Sequence, residues 1–185
     1  MKTFQKKDFP VDQIRRYLEP GPVILVSSFY KGETDIMTMG WHMVMEFAPS
    51  LVGFYITPAN HSFELIKKSK ECVINIPTVE LIEKVIGIGN TTGADIDKFE
   101  HFDLTADKAK VVKAPLIHEC YASFECKVVD TTLTKKYCFF ILKVVKAHVA
   151  TSPKYPTTMH YRGDGKFMIS GKTVDHKKKF KKQNL

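Results

Sequence analysis

No stretch of this sequence approaches the roughly 18 apolar residues that a membrane-spanning helix needs. Its first residues, Met1-Lys2-Thr3-Phe4-Gln5-Lys6-Lys7-Asp8, hold no apolar core of a secretory leader. A cytoplasmic location is the expectation. Cysteine is scarce: Cys72, Cys120, Cys126 and Cys138 form no C-x-x-C pair, which removes the usual mark of a zinc ribbon or thioredoxin-type site. Three of them fall within β-patterned apolar runs, so all four are expected to be buried free thiols. The histidines, His42, His61, His101, His118, His148, His160 and His176, are scattered without the i, i+4 spacing of a zinc-binding helix, and no metal site is expected. No G-x-S-x-G elbow occurs, so a hydrolase is a weak reading. Gly87-Ile88-Gly89 lacks a third glycine and follows a helical pattern, so it is no dinucleotide fingerprint.

Acidic residues are also in the minority, 20 against 28 Lys and Arg, for a formal net charge of +8. The excess is concentrated at one end. Residues 171–185 carry Lys172, Lys177, Lys178, Lys179, Lys181 and Lys182 against Asp175 alone, five of the eight net charges, and the other 170 residues are only mildly basic. A lysine-rich end of this kind is ordinarily a solvated tail. Without zinc-finger spacing, an RRM signature or an aromatic-interleaved basic stripe, nucleic-acid binding remains a remote alternative.

What is present is an ordinary globular composition, 44% apolar and 26% charged over 185 residues. That length suits one domain, here 1–170 followed by the tail 171–185. Phe9 to Leu18 has helical spacing ended by Pro20-Gly21-Pro22. Val23 to Tyr30 reads as a strand, Lys31-Gly32-Glu33 as a hairpin turn, Asp35 to Trp41 and Leu51 to Thr57 as the next two strands of an antiparallel meander. Ser62, as N-cap, opens a short helix to Ser69, Cys72 to Ile76 is a buried strand, and Leu81, Ile82, Val85 and Ile86 share a face of a helix over 79–88. Residues 91 to 114 are polar and irregular, a length of loop that usually serves a function. Strands return over 116–129 and 137–149, joined by Asp130-Thr131-Thr132, and over 166–170. Some seven short strands with two or three inserted helices predict a mainly β fold of barrel type.

Polar and soft apolar residues crowd together in Thr34-Asp35-Ile36-Met37-Thr38-Met39-Gly40-Trp41-His42. With Pro22 to Ser28 before it, this segment leads a series of short motifs in order: Asn60-His61-Ser62, Val73-Ile74-Asn75-Ile76-Pro77, Asp97-Lys98-Phe99, Leu104-Thr105, Ala114-Pro115-Leu116-Ile117 and Glu125-Cys126. Over about residues 20–150 the series resembles the flavin reductase-like and flavoredoxin family. The resemblance implies an FMN-binding split β-barrel, Greek-key-like, acting as a homodimer with flavin near the subunit interface.

Trp41 and Met39 suit the flavin's apolar walls, and Thr38 with the main chain from Met37 to Gly40 suits its ring edge. Ser62 at a helix start, with His61 and Asn60, suits the phosphate. Asn75, polar within an apolar strand, needs partners that the flavin could supply. The resemblance further implies Lys98 as a charged contact and Phe167 as a closing aromatic, with His160, Tyr161 and Arg162 as further candidates. Asp35 departs from the family pattern, which often has Asn there, as do Tyr137, Leu142 and Lys143 on the nicotinamide side. The implied activity is that of an oxidoreductase passing electrons or hydride through FMN from NAD(P)H or a small electron-transfer protein. The alternative is a flavoredoxin-like carrier without reductase activity of its own.

Overall fold

The computed structural model describes residues 21–179 and 181. The helix expected over Phe9 to Leu18, like Lys182 of the tail, lies outside them. Strand β1, Ile24–Tyr30, is buried on both faces: Ile24 and Val26 enter one apolar cluster while Leu25 joins Val23 in another. Such two-sided burial is why its sequence is a continuous apolar run. The turn Lys31-Gly32 carries it into β2, Glu33–Met39, with positive φ at both turn residues (51° and 90°). That is the backbone of a two-residue hairpin turn, in which the second position favours glycine.

The chain then departs from the expected meander. His42–Phe47 forms β3, a strand the sequence reading left out, and its partner Ser50–Tyr55, β4, pairs with β3 and with a much later strand, never with β2. Helix α1, His61–Ser69, packs Phe63 and Ile66 into the core and leads into β5, Glu71–Ile76, which lies antiparallel to β1. The N-cap of α1 is Asn60, two residues ahead of the expected Ser62, and the helix ends at left-handed Lys70.

Beyond β5, a 3-10 turn at Val79–Leu81 precedes helix α2, Ile82–Gly89. Its buried side chains are Val85 and Ile88, whereas Ile86, expected on the inner face, lies partly exposed because it faces an open cavity beside the end of β2. The expected irregular loop contains a single helical turn, α3, Lys98–His101, and β6, Ala106–Asp107, paired with β7, Leu116–Ile117. Long strands β8, Ala122–Asp130, and β9, Phe139–Val149, follow, joined by a helical turn α4, Thr134–Tyr137, in place of the simple turn read at 130–132. Strand β10, Met159–Gly163, also unexpected, pairs with β11, Lys166–Ile169.

Seven strands make the main antiparallel sheet in the order β2-β1-β5-β8-β9-β4-β3. Its interior is closed by Phe54, Phe63 and Phe140, whose rings meet edge-on or tilted at 5.4–5.8 Å. A second cluster, with Leu25, Ile36, Val85, Phe99, Leu104 and Met159, fixes α2, α3 and the β10–β11 hairpin on the opposite side of β1 and β2. The four cysteines are free. Cys72 and Cys126 are buried as cross-strand partners, while Cys120 and Cys138 are only partly covered because they sit in the connections flanking β8 and β9. Among the described residues no helix is long and apolar enough to cross a membrane.

Candidate functional site

Where β2 runs out at Met39, Gly40 and Trp41 carry the chain over to β3 at the other edge of the sheet, and a cavity of about 670 Å³ opens beside them. Its floor is Met37, Thr38, Met39 and Gly40 of the β2 end. One side is α2, through Val85, Ile86, Gly89 and the following Asn90; the opposite side is Trp41 with Tyr55 and Thr57 from the end of β4, and Asn60. The β10–β11 hairpin closes it with Tyr161, Gly165 and Phe167. The walls contain two tilted aromatic pairs, Trp41–Tyr55 at 5.2 Å and Tyr161–Phe167 at 5.1 Å. Trp41 is 53% exposed, so beyond its contact with Tyr55 much of the indole stands open at the rim.

The arrangement is pinned at several points. Thr38 Oγ1 donates to the Val85 carbonyl at 2.7 Å, tying β2 to α2 across the floor. The Val23 amide donates to the Met159 carbonyl at 2.8 Å, tying the hairpin to the start of β1. Gly89 lies over Thr38, where an added Cβ would sit at ordinary contact distance, 3.5 Å from the Thr38 Cβ.

Seven of the twelve main candidates from sequence meet at this cavity, Met37, Thr38, Met39, Gly40, Trp41, Asn60 and Phe167, and of the three further candidates Tyr161 lines it while His160 and Arg162 do not. The other five main candidates lie outside its wall. Asp35 is buried behind β2, where Ser62 Oγ donates to its Oδ2 at 2.5 Å and Lys98 Nζ stands 3.4 Å from Oδ1. Lys98 is itself buried and donates to the carbonyls of Ile36 (2.7 Å) and Ile88 (3.3 Å). The local reason is α3: Asp97 caps this turn by accepting from the amides of Phe99 and Glu100, Phe99 enters the core, and Lys98 is carried inward with it. An ammonium with three acceptors around it is a strut between β2 and α2 rather than a solvated loop lysine.

Ser62 likewise uses its hydroxyl on Asp35, and His61 is held by Glu33 at 2.5 Å. Asn75 satisfies itself within the protein. Its amide donates to the Leu25 and Val73 carbonyls and to Ser27, and its oxygen accepts from the Ile117 amide and Ser123 hydroxyl. Its burial therefore needs no external partner, because five bonds join β1, β5, β7 and β8 through one side chain.

Sequence reasoning missed the α2 contribution, Val85, Gly89 and Asn90, and the β4 end, Tyr55 and Thr57. A helix face that lines a cavity carries the same apolar spacing as one that lines a core, so periodicity does not distinguish them. Among the described residues no group of three His, Cys, Asp or Glu side chains could hold a metal ion.

The sheet and cavity together define a flavin-type split-barrel, and the chain belongs to the flavin reductase like domain family, whose model matches residues 15–167. A protein of Archaeoglobus fulgidus is 33% identical over 160 residues, which are 86% of this chain and 85% of that protein. Among solved structures, flavoredoxin from Methanosarcina acetivorans superposes with a TM-score of 0.80 at 20% identity, covering 98% of this chain and 100% of that one. The FMN-binding domain of a flavin reductases-like enzyme from Shewanella baltica gives 0.76 at 24% identity, over 90% and 95% of the two chains.

Proposed function

We propose that this protein binds FMN in the cavity at the end of β2 and transfers electrons or hydride through it, as a flavin reductase-like oxidoreductase of the cytoplasm. The observation that carries the reading is the wall itself. It offers two aromatic pairs, the soft side chains of Met37 and Met39, and the polar side chains of Thr38, Thr57, Asn60 and Asn90, with no charged side chain among the described residues that line it. A planar tricyclic ring with a polar edge fits such a wall, and the volume is within the usual range of roughly 300–1,000 Å³ for ligand cavities. Bound flavin supplies the redox chemistry, so the protein has only to orient it and exclude water.

Thr38, Met39, Gly40, Trp41, Asn60 and Phe167 act as direct contacts in this reading. Asp35, Ser62 and Lys98 hold the wall from behind, whereas His61 bonds to Glu33 and Asn75 joins β1, β5, β7 and β8 away from it. Lys98 joins Ile36 of β2 to Ile88 of α2, and the cavity floor is built on those two elements.

Strand β3 adds a second expectation. It is a sheet edge carrying exposed Met43, Val44 and Phe47, with Phe47 86% exposed, and a bare apolar edge next to the cavity rim favours a second copy of the chain as its cover. The visible spectrum of the purified protein tests the central claim. A yellow dimer that loses FMN more readily as Trp41→Ala or Lys98→Ala is expected. A colourless protein that stays so after incubation with FMN refutes it. Bleaching of the flavin band on mixing with NADH or NADPH identifies a nicotinamide donor, and its absence points to a protein donor.

A further inference from the structure

Behind the cavity floor the protein buries two opposite charges. Asp35 of β2 and Lys98 of α3 are 2% and 4% exposed, with Lys98 Nζ 3.4 Å from Asp35 Oδ1. Neither lines the cavity, yet Lys98 is bonded to the two elements that form its floor and one side. Its Nζ donates to the carbonyl of Ile36, one residue before the floor begins at Met37, and to that of Ile88, one residue before Gly89 of the wall. The Ile88 carbonyl belongs to the last turn of α2, the negative end of that helix, so a cation is favoured there.

Asp35 is not needed for its hydrogen bonds alone. Its Oδ2 accepts from the Ser62 hydroxyl, a bond that an amide oxygen would accept as well, and its Oδ1 has no hydrogen-bond partner among the described residues. Gly93 closes the space beside Oδ1, since a Cβ there would overlap the carboxylate. What only a carboxylate supplies at this position is a negative charge next to Lys98. The cavity wall has no charged side chain of its own, so a charge left unpaired behind the floor would act on a ligand through a poorly screening layer.

We propose that Asp35 and Lys98 form a tuning pair for the redox balance of the cavity: together they present almost no net charge to a bound flavin, and loss of either one shifts the preference between its oxidised and reduced forms. The proposal rests on the FMN reading above. Uptake of two electrons and one proton adds one negative charge to a flavin ring, and a second proton removes it. A lone positive charge behind the floor therefore favours the reduced form, and a lone negative charge the oxidised form. At about 10 Å, one packed layer, and an effective dielectric of about 20, such a charge changes the balance by roughly tenfold.

The test uses the full-length protein as wild type, Asp35→Asn, Lys98→Met and the double variant, each loaded with FMN in mildly alkaline buffer and titrated anaerobically with dithionite beside a reference dye. The midpoint potential of bound against free flavin gives the ratio of affinities for reduced and oxidised FMN. Asp35→Asn should raise that ratio at least about tenfold, which is ~30 mV upward for a two-electron couple. Lys98→Met should lower it by a similar factor, and the double variant should return to within about threefold of wild type.

An unpaired buried charge also costs stability, so the ratio and not the affinity itself is decisive. A purely architectural role predicts a different pattern, in which both single variants move the ratio the same way or leave it unchanged and the double variant departs furthest. Either result overturns the proposal. If Asp35→Asn does not fold, the comparison of Lys98→Met with the double variant decides, because the double variant must then have the higher potential. A protein with no flavin band in any of the four forms fails at the earlier step, the FMN reading, before a potential is measured.

Discussion

Glu125 gives the sharpest quantitative expectation. Its carboxylate is fully buried on β8 and accepts four hydrogen bonds: Oε1 from the Lys110 amide (2.9 Å) and His148 Nε2 (2.7 Å), Oε2 from the Val111 (2.6 Å) and Val112 (3.0 Å) amides. Burial by itself would raise its pKa, but the bonds from His148 and the three amides outweigh burial and hold it at about 2, against an ordinary value of 4.5. The folded state therefore binds this proton less readily than the unfolded chain. The contribution is complete above pH 4.5 and is lost as pH falls toward 2.

A difference from 4.5 to about 2, at ~1.4 kcal/mol per pH unit, corresponds to about 3 kcal/mol at neutral pH. Protonated Glu and Gln are alike in charge, so Glu125→Gln should lose about that amount at pH 7. In a chain of this length it would lower Tm by roughly 6–12 °C. Urea unfolding followed by fluorescence at a series of pH values from 7 to 3 checks both the size and the shape. The gap between wild type and variant should narrow by more than half by pH 3, closing fully only near pH 2. Equal midpoints at pH 7, or a gap that does not narrow on acidification, would refute the account of this carboxylate as the anchor of residues 110–112.

Two further outcomes follow from close packing. Any Cβ at Gly93 would overlap the Asp35 carboxylate and come within 3.1 Å of His61 Cδ2. Asp35 cannot retreat from Ser62 and Lys98, so Gly93→Ala should cost ~1–3 kcal/mol in denaturant unfolding and weaken FMN binding measured by fluorescence titration. Phe140, fully buried against Phe54 and Phe63, should cost ~3–5 kcal/mol as Phe140→Ala in the same unfolding assay, with the yellow colour retained at low temperature.

The parts of the fold that were legible from sequence are those with one-sided chemistry. The β1–β2 hairpin announces itself by an apolar run and a Lys-Gly turn, and α1 by Phe63 and Ile66 three apart. β3 was missed because Met43, Val44, Met45 and Phe47 are exposed on both faces, so the strand carries no inside–outside alternation to read. The meander was misread for a different reason: β4 finds its neighbour in β9, about ninety residues later, and local pattern carries no information on such distant pairing. At the site, Thr38 to Trp41 stood out because polar groups interrupt a strand. Lys98 reads as a surface charge until the capping of α3 by Asp97 is seen to turn it inward.

The cavity walls are drawn from Val23 at one extreme of the described chain to Phe167 near the other, and the closing hairpin is attached beside β1 by the main-chain bond from Val23 to Met159 and by packing of Met159 with Val23 and Leu25. A fragment cut anywhere that removes Val23 or the Tyr161–Phe167 hairpin would lose part of the wall, so flavin retention reports on the integrity of residues 23–167. By the same geometry the ligand is a clasp. At a free concentration a hundredfold above its Kd it would add ~2.7 kcal/mol to the cost of unfolding, joining first strand to last hairpin without any covalent bond.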